Sequence, residues 1–87
     1  MTDTQNRVRL FLRIFEEMQQ VMSSDSPWEV KHELVFSLAA EASVYFQVRY
    51  YTPDTTYQDD ARVCFGAYET RARELALAFG INLKEST

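Results

Sequence analysis

The stretch that decides the fold is TYQDDARVCFGAYETRARELALAFG, residues 56–80. Its apolar positions Ala61, Phe65, Tyr68, Ala72, Leu75 and Phe79 recur at alternating steps of four and three, the return period of one face of an α-helix. Cys64 and Tyr57 border that stripe. Asp59 and Asp60 stand near the start, where the helix dipole favours negative charge, and Asp54, Thr55 and Thr56 each offer an N-cap oxygen. Gly80 supplies a left-handed C-cap, with Ile81 placed for the hydrophobic contact of a Schellman ending. The spacing predicts a helix over about 56–79, followed by a partly disordered tail, 80–87, that frays from Asn82 on.

Working towards the N-terminus, Thr52 precedes Pro53, which disfavours the α conformation at the preceding residue and so ends the element before it. That element begins at Ser23-Ser24-Asp25-Ser26-Pro27. Ser26 reads as the N-cap, Pro27 as the first helical residue and Glu29 as the return partner of a capping box. A second helix is predicted over about 27–51, with Val30, Leu34, Leu38, Ala42 and Tyr45 in one row and Val35, Ala39 and Phe46 beside it. A first helix over about 4–22 carries Val8, Phe11, Phe15, Met18 and Met22 in one row and Leu10, Ile14 and Val21 in an adjoining one. On both helices the apolar arc covers about half the circumference, wider than one neighbour requires.

Short connections make consecutive helices antiparallel neighbours. The expectation is therefore an all-α, antiparallel three-helix bundle, up-down-up, formed by one domain of 87 residues. A chain of this length buries only about 60–65% of its unfolded surface, and the broad arcs of helices 1 and 2 point to self-association or to another protein partner.

Composition narrows the function. The net charge is −4, whereas nucleic-acid binders draw most of their affinity from a basic excess. One cysteine, Cys64, allows neither an intramolecular disulfide nor a cysteine-based zinc site. Residues 1–6 are polar and no long apolar run follows, so neither a signal peptide nor a membrane span is expected and the cytoplasm is the expected compartment. In composition and architecture alone the chain resembles small helical accessory proteins of bacteria and their phages or plasmids.

Chemistry-bearing constellations are sparse. Glu29 and His32 have the Glu-x-x-His spacing of di-iron helical bundles, but the chain has a single histidine; an ordinary helix start accounts for both residues more economically. A metal-dependent helical enzyme would have to be assembled across a dimer. Cys64 has no histidine on its own helix and reads as a small core residue. No glycine-rich phosphate loop is present. Neither a catalytic residue nor a cofactor is expected. Arg7, Arg9 and Arg13 crowd the start of helix 1, at the unfavourable end of the dipole, where they could meet an acidic partner or a nucleic acid. Aromatic residues Phe46, Tyr50, Tyr51 and Tyr57 gather about the Pro53 turn, with Trp28 at the far end of helix 2; Tyr and Trp are enriched at interface hot spots. The expectation is a non-enzymatic protein-binding module — a homo-oligomer, adaptor, chaperone or inhibitor — acting through Leu10, Ile14, Val21, Trp28, Phe46, Tyr50, Tyr51 and Tyr57. A nucleic-acid-associated regulator using the three arginines is the alternative.

Overall fold

The computed structural model describes residues 3–52 and 56–83. It contains α1 (Asp3–Ser23), α2 (Trp28–Ala42) and α3 (Tyr57–Phe79). No strand occurs among the described residues, and each helix touches both others. The molecule is an all-α three-helix bundle.

The helix ends follow local chemistry, with one exception. Thr56 is the N-cap of α3, its hydroxyl accepting from the Asp59 amide at 3.1 Å. The other two cap candidates, Asp54 and Thr55, lie outside the described residues. At the far end Gly80 takes φ 65, and the amides of Gly80 and Ile81 donate to Leu77 and Ala76. That is the Schellman pairing expected there. Ile81 makes the hydrophobic contact expected of it, and Leu83, within the tail expected to fray, also packs against the core; residues 84–87 lie outside the described residues. The exception is the start of α2. Pro27, not Ser26, is its N-cap, with no side-chain capping bond. The expected capping box does not form: the Pro27 carbonyl receives the Val30 and Lys31 amides, and the Ser26 amide donates to the Ser24 hydroxyl.

The second helix is much shorter than the 27–51 expected, because it ends at Ala42. The next residues, Val44-Tyr45-Phe46-Gln47-Val48-Arg49-Tyr50-Tyr51, are dense in β-branched and aromatic side chains, which lose rotamer freedom in a helix. They also alternate. Phe46, Val48 and Tyr50 are partly buried against the core, whereas Gln47, Arg49 and Tyr51 are exposed. This is the two-residue period of an extended chain, and the segment is a strap laid along the bundle.

The strap changes the topology. Phe15 stacks on Phe65 at 5.3 Å and Phe11 on Tyr68 at 5.8 Å, so α1 and α3 are antiparallel. His32 lies 3.7 Å from Asp60, and the Tyr68 hydroxyl donates to the Ala39 carbonyl at 3.0 Å; the residue numbers climb together, so α2 and α3 are parallel. The order is up-down-down, not the up-down-up expected. Residues 43–56 can reach about 45 Å, twice the roughly 22 Å length of a 15-residue helix. They return the chain to the end at which α2 began, which the short-loop argument for antiparallel neighbours did not allow for.

The core sits where the three helices meet. Val8, Phe11, Phe15 and Met18 of α1 face Val35, Ala39 and Ala42 of α2 and Cys64, Tyr68, Ala72 and Leu75 of α3. Phe11 is its hub, stacked on Tyr68 and edge-on to Phe46 of the strap at 5.6 Å. Each such fully buried side chain contributes about 1.5–3 kcal/mol of hydrophobic free energy. The α2 contribution is small in volume. Alanines at 39 and 42 let α3 come close enough for Tyr68 to reach a backbone carbonyl, and α2 turns the row Val35–Ala39–Ala42 inward. Its larger residues Val30 and Leu34 are left 42% and 44% exposed.

Candidate functional site

Val30, Leu34 and Leu38 fall on the flank of α2 that faces α1, at helical steps of four. On α1 the adjoining row Leu10, Ile14 and Val21 falls on the flank that faces α2. Between them runs an open groove of about 450 Å³, lined by Glu17, Gln20, Val21, Ser24, Ser26, Leu34, Ser37 and Leu38. Its floor is apolar and its rims carry carboxylate, amide and hydroxyl groups. Ile14 is buried, Val21 and Leu38 are partly buried, and Leu10 is 37% exposed. Of the α1 part of the expected binding set, Val21 lines this groove, whereas Leu10 and Ile14 share its flank of α1 by helical spacing and are not in its lining. Leu34 and Leu38 of α2 line it as well, although the expected binding set names no residue of their row. The signal was present in the breadth of the arc: two adjacent apolar rows on one helix cannot both face the centre of a three-helix bundle.

The aromatic residues expected to bind a partner are dispersed by the strap. Phe46 is edge-on to Phe11 and lies under the Arg71 guanidinium at 5.5 Å. Tyr50 packs edge-on to Phe36 and Tyr68 at 6.2 and 6.0 Å, and its hydroxyl lies close enough to Cys64 for the two groups to influence each other's ionisation. Both hold the strap down. Tyr51 and Tyr57 are exposed, at 79% and 53%. Trp28 is engaged inside the molecule, with the Lys31 ammonium 4.4 Å and the Arg62 guanidinium 5.4 Å from its ring, so its indole face serves as a cation seat. Beside the strap a second depression of about 430 Å³ is bounded by Phe36, Ala40, Arg49, Tyr50 and Tyr68.

The titratable residues under the strap are held protonated. Burial pushes the Cys64 thiol above its ordinary value, with the nearby Tyr50 hydroxyl pulling the other way. Burial likewise raises Tyr50 and Tyr68, and their proximity to Cys64 adds to it. A fully buried thiol raised in this way is a poor nucleophile.

His32 is directed at α3. It stacks on Phe36 at 4.3 Å, meets Tyr57 edge-on at 5.1 Å and faces Asp60. Glu29 is exposed on the same helix. No group of three or more metal-ligating side chains occurs among the described residues. Arg7, Arg9 and Arg13 are all exposed and make no ion pair among the described residues. Arg9 lies with Gln5 beside Phe79 and Ile81, which places the basic start of α1 at the same end as the close of α3. Arg71 and Arg73, by contrast, pair with Glu74 and Glu69 at 3.1 and 3.5 Å. No helix among the described residues is long and apolar enough to cross a membrane.

Comparison of the chain with protein families, with curated proteins and with solved structures gives no match.

Proposed function

We propose that this chain is a helical protein–protein interaction module whose docking surface is the α1/α2 face. One observation carries the reading: an open groove of about 450 Å³ between α1 and α2 has Val21, Leu34 and Leu38 in its lining, and Leu34 and the neighbouring Val30 are left nearly half exposed. Leaving apolar area in water forgoes about 25 cal/mol per Å², so a chain with a thin stability margin gains by covering it. Contiguous apolar surface rimmed by polar groups is the ordinary mark of a protein contact. A fourth helix laid in the groove would complete a bundle of the common four-helix kind. The compartment proposed is the cytosol, where a lone thiol such as Cys64 stays reduced.

The test is the purified chain with a dye that fluoresces on apolar surface, read together with light scattering. The expected outcome is dye uptake, self-association or both, each lost in Leu34→Asp while helical circular dichroism is retained. A wild-type chain that takes up no dye and stays monomeric overturns the reading.

A nucleic-acid role has one observation in its favour, the exposure of Arg7, Arg9 and Arg13 with no acidic partner among the described residues. The net charge of −4 opposes it. Binding to duplex DNA that weakens steeply from low to moderate salt, and is lost in Arg9→Glu, would support this second reading.

A further inference from the structure

We propose that the occupant of the α1/α2 face is a second copy of this chain, related by a twofold axis that runs the two α1 helices antiparallel. The proposal rests on the interaction reading above and gives that surface its partner. Charge order along α1 is the first observation. Arg13 and Glu17 stand one turn apart on α1, both exposed, with Glu17 at the rim of the groove, and neither makes an ion pair among the described residues. With the cation four residues ahead of the anion, they hold the less favourable order for pairing within one helix. A twofold axis crossing α1 at the level of Phe15 reverses that order between copies. Arg13 of each then meets Glu17 of the other, which is the reciprocal contact an isologous interface requires.

The same axis matches the apolar floor. Lys31 reaches Met22, which fixes the register of α2 on α1 and sets Leu34 about one turn before the end of α1. Antiparallel placement about Phe15 then brings Leu10 of one copy to the level of Leu34 of the other, so the two exposed leucines cover each other. Charge along α1 gives the same orientation. Arg7, Arg9 and Arg13 precede Glu16 and Glu17. Two α1 helices side by side in the same direction would oppose like charges, and reversed ones oppose unlike charges. A face two helices wide and about 30 Å long offers on the order of 600 Å² per copy, close to the ~800 Å² per partner of a standard interface. A dimer that dissociates on dilution follows.

Sedimentation equilibrium over a wide concentration range tests this, with circular dichroism as the check on folding. The wild type is expected to dimerise. Arg13→Glu and Glu17→Arg, each of which sets like charges together at both reciprocal contacts, should each weaken the dimer about tenfold. An equimolar mixture of the two variants should recover it, since every contact in the mixed dimer again joins opposite charges. That recovery depends on pairing between copies, so a general effect of either variant on stability cannot produce it. A wild-type chain that is monomeric throughout yet takes up the dye overturns the second-copy proposal and leaves the interaction reading standing. A dimer lost in Leu34→Asp but indifferent to both charge variants overturns the antiparallel register alone. A dimer indifferent to Leu34→Asp as well overturns both readings.

Discussion

Lys31 is the residue whose role is furthest from what its type suggests. A lysine in the first turn of a helix reads as solvated surface, yet this one is only 7% exposed. Its ammonium donates to the Met22 carbonyl at 3.0 Å and sits on the Trp28 ring. Met22 is in the last turn of α1, where carbonyls lack partners within their own helix and a cation is favoured by the dipole. Lys31 therefore caps α1 from the neighbouring helix, and Trp28 holds the cap in place. Neither role could be read from the sequence, because each depends on how α2 docks against α1 and not on any spacing within one element. Lys31→Met keeps most of the aliphatic stem but leaves the carbonyl unpaired in partly buried surroundings. Chemical denaturation should show a loss of about 2 kcal/mol; a loss below about 0.5 kcal/mol, the size of an ordinary surface change, would show that water serves the carbonyl equally well.

Among the elements, the strap separates what the sequence made legible from what it hid. The three helices, the cap of α3 at Thr56 and the ending at Gly80 follow from local signals, and those signals act within a few residues of one another. The close of α2 lies earlier than local signals place it, because apolar residues continue past Ala42 and Pro53 offers a later and more conspicuous stop. The change of period from helical to alternating at Phe46–Val48–Tyr50 was the available sign, and the aromatic density concealed it. Once the strap is extended, the parallel placement of α3 follows, and the aromatic group assigned to partner binding becomes the means by which the strap is fastened. Tyr50 over Cys64 is the central fastening, and its chemistry makes alkali the condition that loosens it. In the unfolded chain Cys64 ionises near 9; in the folded one burial holds the thiol protonated to higher pH. Above that point the unfolded state gives up a proton that the folded state keeps, so the stability present below pH 9 declines as pH rises, by up to about 1.4 kcal/mol per pH unit. Tyr50 and Tyr68, raised in the same direction, add to the decline from near 10. Denaturation midpoints followed from neutral pH into alkali should fall along this limb, and Cys64→Ala should delay its onset to the tyrosine range. A wild-type limb that begins no earlier than that of Cys64→Ala would mean that the thiol does not control it.

At the scale of the whole molecule, the up-down-down order leaves the bundle open on one side. Two parallel helices and one antiparallel helix enclose the core around Phe11, and the strap covers part of the α2/α3 side through Phe46 and Tyr50. Among the described residues nothing comparable covers the α1/α2 side, where Val30 and Leu34 stand exposed. This was legible in outline, since the breadth of the apolar arcs on helices 1 and 2 already exceeded what three helices can bury. Which residues of α2 would stay outside was not legible, because that choice belongs to α3: its approach selects Ala39 and Ala42 for the core and turns the bulkier row away. A molecule of this shape should couple its stability to its concentration. Association that occurs only in the folded state stabilises that state by mass action, by about 2.7 kcal/mol when the free partner is at a hundred times the dissociation constant. For a domain of this length, each kcal/mol moves the midpoint by about 4–8 °C. The thermal midpoint of the wild type should therefore climb with protein concentration, by about 10–20 °C once the dimer is well populated. In Leu34→Asp the midpoint should be independent of concentration, and at high dilution the two proteins should melt close together, because Leu34 is already partly in water within the single chain. Calorimetric scans across a dilution series distinguish the outcomes. A wild-type midpoint that does not move with concentration would show that the exposed α1/α2 face is not covered by this chain itself.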